Sequence, residues 1–308
     1  MTITLRVAHS PDSDDAFMFY ALADGHIDTG DLRYVHELQD IESLNRRALS
    51  GELEITAVSV HAYAHIAGTY ALLSSGSSMG DGYGPRLVAK TPAPHDPRSA
   101  LKGRKVGIPG TLTTAWLALQ LYQPEVVPVV LPFDEIEDAV ARGDVEVGLL
   151  IHEGQLTFQD QGLQLWEDLG AWWLRETGLP LPLGGNVVRR DLGRDVINQV
   201  ARDLRASIEY GLAHRAEALA HASRFNRGIG EERTDTFVGM YVNDWTVDYG
   251  PRGRQAVQLL LDRAFAAGLI PVRVAVEFVD GRDQALAQPL HLGDGQAVFR
   301  PSARGDGS

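Results

Sequence analysis

One pattern occurs twice in this chain. Ala-Leu-Ser-Gly-Glu-Leu-Glu-Ile at 48–55 matches Val-Ala-Arg-Gly-Asp-Val-Glu-Val at 140–147. Likewise Val-Ala-His-Ser-Pro ahead of Asp-Ala-Phe at 7–17 resembles Val-Gly-Ile-Pro-Gly ahead of Thr-Ala-Trp at 106–116. Each copy runs strand, loop, helix, then later helix, glycine, acid, strand. Strands alternating with helices build a largely parallel sheet covered by helices. The 308 residues also suit two domains of ~100–200 residues each. Two α/β lobes of like topology facing one another across a cleft are therefore expected. Helix–glycine–acid–strand is also a generic connection, and the two-lobe reading is the preferred one.

The individual elements follow from periodicity and punctuation. Leu5 to Ala8 reads as a first strand, and Asp15 to Ala23 as a helix capped by Asp14 or Ser13. Asp40 to Leu49 is a second helix, Leu53 to Val58 a strand, and Ser59 to Ala67 a short helix. The glycine- and serine-rich stretch from Leu72 to Gly84 precedes a strand at Pro85 to Ala89. Thr91 to Ser99 holds three prolines in nine residues and reads as a linker. The second unit places strands at 105–108 and 128–131 and helices at 113–122 and 134–141, the last ended by Gly143. Alternating prolines make Gly178 to Asn186 extended, a return crossing that lets Val187 and Val188 rejoin the first sheet. Helices follow at about 193–212, 216–223, 231–242 and 253–267. Val196, Val200, Leu204, Ile208 and Leu212 recur at helical spacing and are expected in the core. Pro289 to Ser308 reads as a partly ordered tail. The division is then 1–90 for the first part of lobe 1, 91–177 for lobe 2, and 178–308 for the return to lobe 1 with its C-terminal helices and tail.

Val145 to Ile151 is an apolar run of strand length, suited to a strand buried on both faces of a parallel sheet. It stops at His152. Ligands of open α/β sheets sit outside the carboxyl ends of the strands, so an imidazole at this exit suits a general acid or base. A backbone-bonded strand-end histidine is the alternative. Three other turns should face the cleft: Ser10 to Asp15, Ser59, and Thr111 to Thr114. Thr113 and Thr114 combine hydroxyls with free N–H groups at a helix start, a place for a carboxylate; plain N-capping is the alternative. Ser59 lies in no nucleophile motif and reads as a hydrogen-bonding residue.

The 41 acidic and 28 basic residues give a net charge of −13, which argues against nucleic acid. An anionic small ligand would need local positive potential from helix N-termini. No apolar run approaches the ~20 residues of a membrane span, no secretory signal opens the sequence, and a cytoplasmic location is expected. The absence of cysteine excludes disulfides, thiolate nucleophiles and cysteine-bound zinc. His61 and His65 could share a helix face, but without a further ligand a solvated or capping role is preferred to a metal site. Gly80 to Gly84 is followed by a strand and so is no dinucleotide fingerprint; close backbone approach or a hinge is expected. Trp172 and Trp173 read as core or lobe interface.

Several segments in order resemble a known family: Asp40-Ile-Glu-Ser-Leu-Asn-Arg-Arg-Ala-Leu, Tyr70-Ala-Leu-Leu-Ser-Ser-Gly with Gly80-Asp-Gly-Tyr-Gly-Pro, Thr113-Thr-Ala, Leu150-Ile-His-Glu with Leu156-Thr-Phe, and Asp168-Leu-Gly-Ala-Trp-Trp with Thr177-Gly-Leu-Pro-Leu-Pro-Leu-Gly. They look like the 1,4-dihydroxy-6-naphthoate synthases of the futalosine route to menaquinone, from about Val7 to Gly193 and more loosely beyond. The opening His9-Ser-Pro-Asp-Ser-Asp-Asp departs from the Ser-Pro-Cys-Pro-Asn-Asp form of other members and resembles a second subtype. The resemblance implies a two-lobed α/β fold like type 2 periplasmic binding proteins, with a central cleft and two inter-lobe crossings. It implies cyclic dehypoxanthinylfutalosine as a carboxylate substrate, 1,4-dihydroxy-6-naphthoate and dihydroxyacetone as products, and neither metal nor cofactor. It implies His152 as general base and Ala57, Val58, Ser59, Thr113, Thr114 and Asp14 as substrate-binding residues. A homodimer is left open. The alternatives are chorismate dehydratase of the same pathway, which His152 disfavours, and a non-catalytic binding protein for small anions.

Overall fold

The computed structural model describes residues 2–225 and 229–282, together with the backbone of 289–292 and 296–299. Its first five strands enter one sheet: β1 (Ile3–His9), β2 (Leu32–Leu38), β3 (Ile55–Ser59), β4 (Tyr70–Leu73) and β5 (Ser78–Gly80). The next five form a second sheet: β6 (Arg86–Ala89), β7 (Lys105–Ile108), β8 (Val127–Val130), β9 (Val147–Leu150) and β10 (Gln164–Asp168). The chain then returns to the first sheet with β11 (Leu181–Arg189) and β12 (Phe278–Val279). The strand orders are β12-β4-β11-β3-β1-β2, with β5 beside β11, and β10-β6-β9-β7-β8.

The sequence repeat is a topological repeat. In lobe 1, β1 is flanked by β2 and β3, all parallel. In lobe 2, β7 is flanked by β8 and β9, again parallel. Each triplet gains one antiparallel neighbour, β11 on β3 and β6 on β9. Those two strands lie just after the crossings between lobes. The strand Arg86–Ala89 thus belongs to the second sheet, although its position within 1–90, ahead of the proline-rich stretch, assigned it to lobe 1. Prolines mark where the chain cannot be helical or laddered; they do not say which sheet a neighbouring strand joins. The stretch at 91–99 is a surface connection inside lobe 2 that ends in the helical turn Pro97–Ala100.

The central strands are buried along their length, as strands covered on both faces must be: every residue of β3 and of β9 is buried. In lobe 1 the helix Ser13–Ala23 packs on Arg194–Ala213, and Phe17, Phe19, Val200, Leu204 and Ile208 share one core with Leu5, Val7 and Val188. Val196 and Leu212, at the ends of the predicted stripe, are only partly buried. Trp173 is wholly buried and Trp172 nearly so, in the core that also holds Trp116 and Leu119. A second core segment escaped the sequence reading. Tyr70–Leu73 is a strand that runs into the glycine- and serine-rich stretch from Leu72 to Gly84, and Ser78–Gly80 is a strand inside it, where serine and glycine mask the buried face. The Gly80–Gly84 segment does make a close approach: a Cβ on Gly170 would lie 1.8 Å from the Tyr83 carbonyl oxygen. Of the tail, Pro289–Leu292 pairs with Gln296–Phe299 and the rest lies outside the described residues. Among the described residues no helix is long and apolar enough to cross a membrane.

Candidate active site

Four strands end at the cleft between the sheets, and the turn after each one lines a single cavity of about 100 Å³. After β1 come Ser10, Asp14 and Asp15; at the end of β3, Ser59; after β7, Thr113, Thr114 and Ala115; after β9, Ile151 and His152. Ala57, Val58, Ser59, Thr113, Thr114, Asp14 and His152 therefore all lie on one cavity wall or another. The placement follows the repeat to within one residue: Ser59 ends β3 at the position equivalent to Ile151, one residue short of His152.

His152 is held in an unusual backbone conformation. Its φ of 52° is the only positive value for a non-glycine among the described residues. Such a residue carries strain that persists when its surroundings fix it, and strain of this kind clusters at functional sites. Here the fixing groups are visible. The ring meets Phe133 edge-on at 4.8 Å, and Nδ1 lies 3.0 Å from Oδ2 of Asp12, which is wholly buried. Asp12 comes from the opposite lobe, so the pair spans the cleft. With Nδ1 facing a carboxylate, Nε2 is left for substrate; it is buried and has no hydrogen-bond partner.

The helix cap differs from the sequence reading. Ser13–Ala23 starts two residues earlier, with Asp12 rather than Asp14 or Ser13 at the N-cap, and the Asp12 side chain makes no capping hydrogen bond. It faces His152 and accepts a hydrogen bond from Ser10 Oγ instead. Ser13 Oγ donates to Glu153 Oε1 at 3.1 Å, a second tie across the cleft. The Ser10 N–H donates to Asp15 Oδ2 at 2.8 Å.

Four carboxyl groups thus crowd one imidazole. Burial works against the imidazolium, yet the charge and hydrogen bond of Asp12, with Glu153 and Asp14 behind it, carry the His152 pKa up to about 9. Burial, then the neighbouring Asp15 and Asp12, push Asp14 well above the carboxylate range. Burial also lifts Asp15 to about 7, against the Ser10 N–H that stabilises its anion. Both shifts favour the neutral carboxyl, and both groups line the cavity.

The hydroxyls of the opposite wall already have partners. Thr113 caps its helix by accepting from Trp116 N–H and donating to the Gly110 carbonyl. Thr114 donates to the Leu183 carbonyl at 2.6 Å and accepts from the His61 N–H. Ser59 is held by Asn45, which donates to its Oγ and accepts from its N–H. The capping alternative is therefore right for Thr113. What Thr114 and Ala115 still offer the cavity is the start of a nine-residue helix. His61 is buried against Thr113 rather than solvated or capping, while His65 is exposed.

Several wall residues had no sequence signal. Asp12 and His152 are 140 residues apart, and no spacing rule connects them. Phe237 and Tyr241 come from the helix Glu231–Tyr241 and belong to no motif; both line the cavity, and Tyr241 Oη donates to Gln155 Oε1 at 2.8 Å. Asn186 carried a weak signal, as the one polar side chain among the first eight residues of its strand.

Two lobes of matching topology, two crossings, and one cavity at the carboxyl ends of both sheets define the periplasmic-binding-protein class of fold. Solved structures agree. The alkanesulfonate-binding protein of Xanthomonas axonopodis pv. citri superposes with a TM-score of 0.62 at 13% identity, covering 89% of this chain and 96% of that one. The aliphatic sulphonate binding protein of Escherichia coli gives 0.59 at 14% identity, covering 99% and 98%. A protein of Archaeoglobus fulgidus is much nearer, with a TM-score of 0.81 at 45% identity over 87% of this chain and 98% of its own. The chain belongs to the menaquinone biosynthesis family, matched over residues 5–266, and within it to the 1,4-dihydroxy-6-naphthoate synthases. The enzyme of that name from Thermus thermophilus is 42% identical over 86% of this chain and 95% of its own length. The one from Streptomyces coelicolor is 37% identical over 87% and 95%.

Proposed function

We propose that this enzyme converts cyclic dehypoxanthinylfutalosine to 1,4-dihydroxy-6-naphthoate and dihydroxyacetone, with His152 as the general base. One observation carries the assignment of the base: the His152 imidazole is paired through Nδ1 with buried Asp12, while its Nε2 is buried without a partner on a residue that lines the cavity. Nε2 removes a proton made acidic by the neighbouring ketone, and the sugar-derived ring opens. A retro-aldol-type cleavage then breaks one carbon–carbon bond. Its electron pair stays with the ring system, which aromatises, and the three-carbon piece leaves as dihydroxyacetone. Proton transfer of this kind contributes about 10²–10⁴-fold to rate.

The walls suit a carboxylate in one orientation only. Among the described residues the lining holds neither lysine nor arginine. The N-terminus of Ser13–Ala23 already carries Asp14 and Asp15, whereas that of Thr114–Tyr122 carries no acid. The aromatic carboxylate goes to the Thr114 end, where the helix dipole favours an anion. Asp14, on the cavity wall, hydrogen-bonds the substrate. Ala57, Val58 and Ser59 form the floor. We place the reaction in the cytoplasm, where a biosynthetic step needs no export, and leave a homodimer as a proposal for sedimentation to decide.

The test is turnover. Purified enzyme incubated with the cyclic substrate should release naphthoate and dihydroxyacetone in equal amounts. His152→Gln should bind the substrate and lose ~10²–10⁴-fold in kcat. Binding without any product overturns the enzyme assignment for this substrate; a fully active His152→Gln overturns the assignment of the base.

A further inference from the structure

Of the buried side-chain atoms without a hydrogen-bond partner, two belong to described residues that line the cavity: His152 Nε2 and Asn186 Oδ1. Asn186 is 1% exposed. Its register fixes where it points. Asn186 pairs with Ala57 and Gly184 with Ser59, and alternate residues of a strand share a face. Ala57 and Ser59 line the cavity, so Asn186 shares their face, beside a glycine that leaves the space before it open.

The orientation of the amide is also fixed. Nδ2 donates to the Gly76 carbonyl at 2.9 Å. That carbonyl can only accept, so the nitrogen must lie there and the oxygen on the other side. Gly76 suits this clamp: it has a φ of 83°, and a Cβ there would come within 2.4 Å of Nδ2. A buried acceptor with no donor is destabilising wherever it serves no ligand. Leucine or valine would fill the same place on an apolar strand without that cost.

We propose that Asn186 is a further substrate-binding residue, whose Oδ1 accepts a hydrogen bond from a hydroxyl on the sugar-derived part of the substrate. The identity of the partner rests on the substrate reading above. An acceptor cannot take an ionised carboxylate, a ketone or an ether oxygen; a hydroxyl is the donor left. Distance along β11 says which end of the substrate carries it. Thr114 Oγ1 is bonded to the Leu183 carbonyl, and three residues of strand separate Leu183 from Asn186, roughly 10 Å. A substrate with its carboxylate at the Thr114 helix start presents its opposite, sugar-derived end to Asn186.

The test compares Asn186→Leu with wild type in two measurements. For the cyclic substrate, kcat/KM should fall roughly 10–100-fold, chiefly through KM. The dissociation constant of 1,4-dihydroxy-6-naphthoate, which lacks the three-carbon piece, should stay within about twofold. A merely structural asparagine would weaken both together, and that result overturns the proposal, as does no change in either. Asn186→Ala, run in parallel, guards against a steric effect of leucine and should show the same split. Should wild-type enzyme bind the cyclic substrate without turning it over, the functional reading fails, and the same contrast read by calorimetry still decides the role of Asn186.

Discussion

Replacing Asp12 by asparagine removes one charge from the pair across the cleft and keeps the shape of the side chain. The ordinary imidazole pKa of 6.5 and the value of about 9 in this site differ by about 3 kcal/mol of preference for the imidazolium. Burial opposes that preference, and Asp12 is the largest contribution overcoming it, by charge and by hydrogen bond. Without it, His152 should titrate at or below 6.5. A base must be unprotonated to act, so wild-type kcat/KM should climb with pH until about 9. At pH 7.5 only about 3% of wild-type sites would hold the free base, against most sites in Asp12→Asn. Asp12→Asn should therefore reach its plateau more than two pH units lower. That plateau should also be lower by roughly 10²-fold, because the base is weaker and the tautomer is no longer held by a carboxylate. Rates of naphthoate formation from pH 6 to 10 give both numbers, and NMR titration of the ring nitrogens gives the pKa directly. A rising limb that stays in place, or a plateau that does not fall, refutes the dyad.

Two further outcomes concern the scaffold. Gly170→Ala sets a Cβ 1.8 Å from the Tyr83 carbonyl oxygen, beside the first crossing. Backbone must move, at a cost of at least ~2–3 kcal/mol, so thermal melting should drop by ~4 °C or more; an unchanged melting temperature denies the close approach. His36 is held to about 4, chiefly by burial, with His221 adding to it. Its folded pKa lies below 6.5, so as pH falls from 6.5 toward 4 the unfolded chain gains a proton that the fold refuses, and stability is lost across that window. Asp15, raised to about 7, acts in the opposite sense as pH falls through 7. A comparison with His36→Gln isolates the histidine: its stability relative to wild type should rise by ~2–3 kcal/mol between pH 7.5 and 4.5 in urea titrations. A constant difference would sink that account.

The sequence made the fold legible where repetition spoke and illegible where only pairing partners could. Gly51 and Gly143 each precede a central strand by four residues, and both turn out to have positive φ at the end of a helix. That recurrence predicted two like triplets of strands, and through them the four turns at the cavity. Membership of β6 in the second sheet was hidden, because an antiparallel neighbour added after a crossing leaves no periodicity of its own. The Asp12 end of the pair across the cleft was hidden for the same reason. His152 stood out as the residue that stops an apolar run, whereas Asp12 looked like one more capping acid in a turn full of them. Its capping duty is unfilled because the carboxylate is turned across the cleft.

The repeat also offers a way for a cavity whose described lining holds one imidazole and neither lysine nor arginine to orient the carboxylate substrate proposed above. Helices Ser13–Ala23 and Thr114–Tyr122 are equivalent elements, each following the central strand of its triplet and each starting at the cavity. Identical helix starts would attract an anion equally from both sides. This chain breaks the symmetry. One start bears Asp14 and Asp15, and the other bears Thr113 and Thr114 with their hydroxyls already satisfied. Asp14, at the end less suited to a carboxylate, also adds to the rise of His152, behind Asp12 and Glu153. Separating the two effects is possible in principle. Asp12 contributes to the imidazole without lining the cavity, whereas Asp14 lines it. Changes at Asp12 should chiefly move the pH profile, and changes at Asp14 should chiefly move KM for the proposed carboxylate substrate.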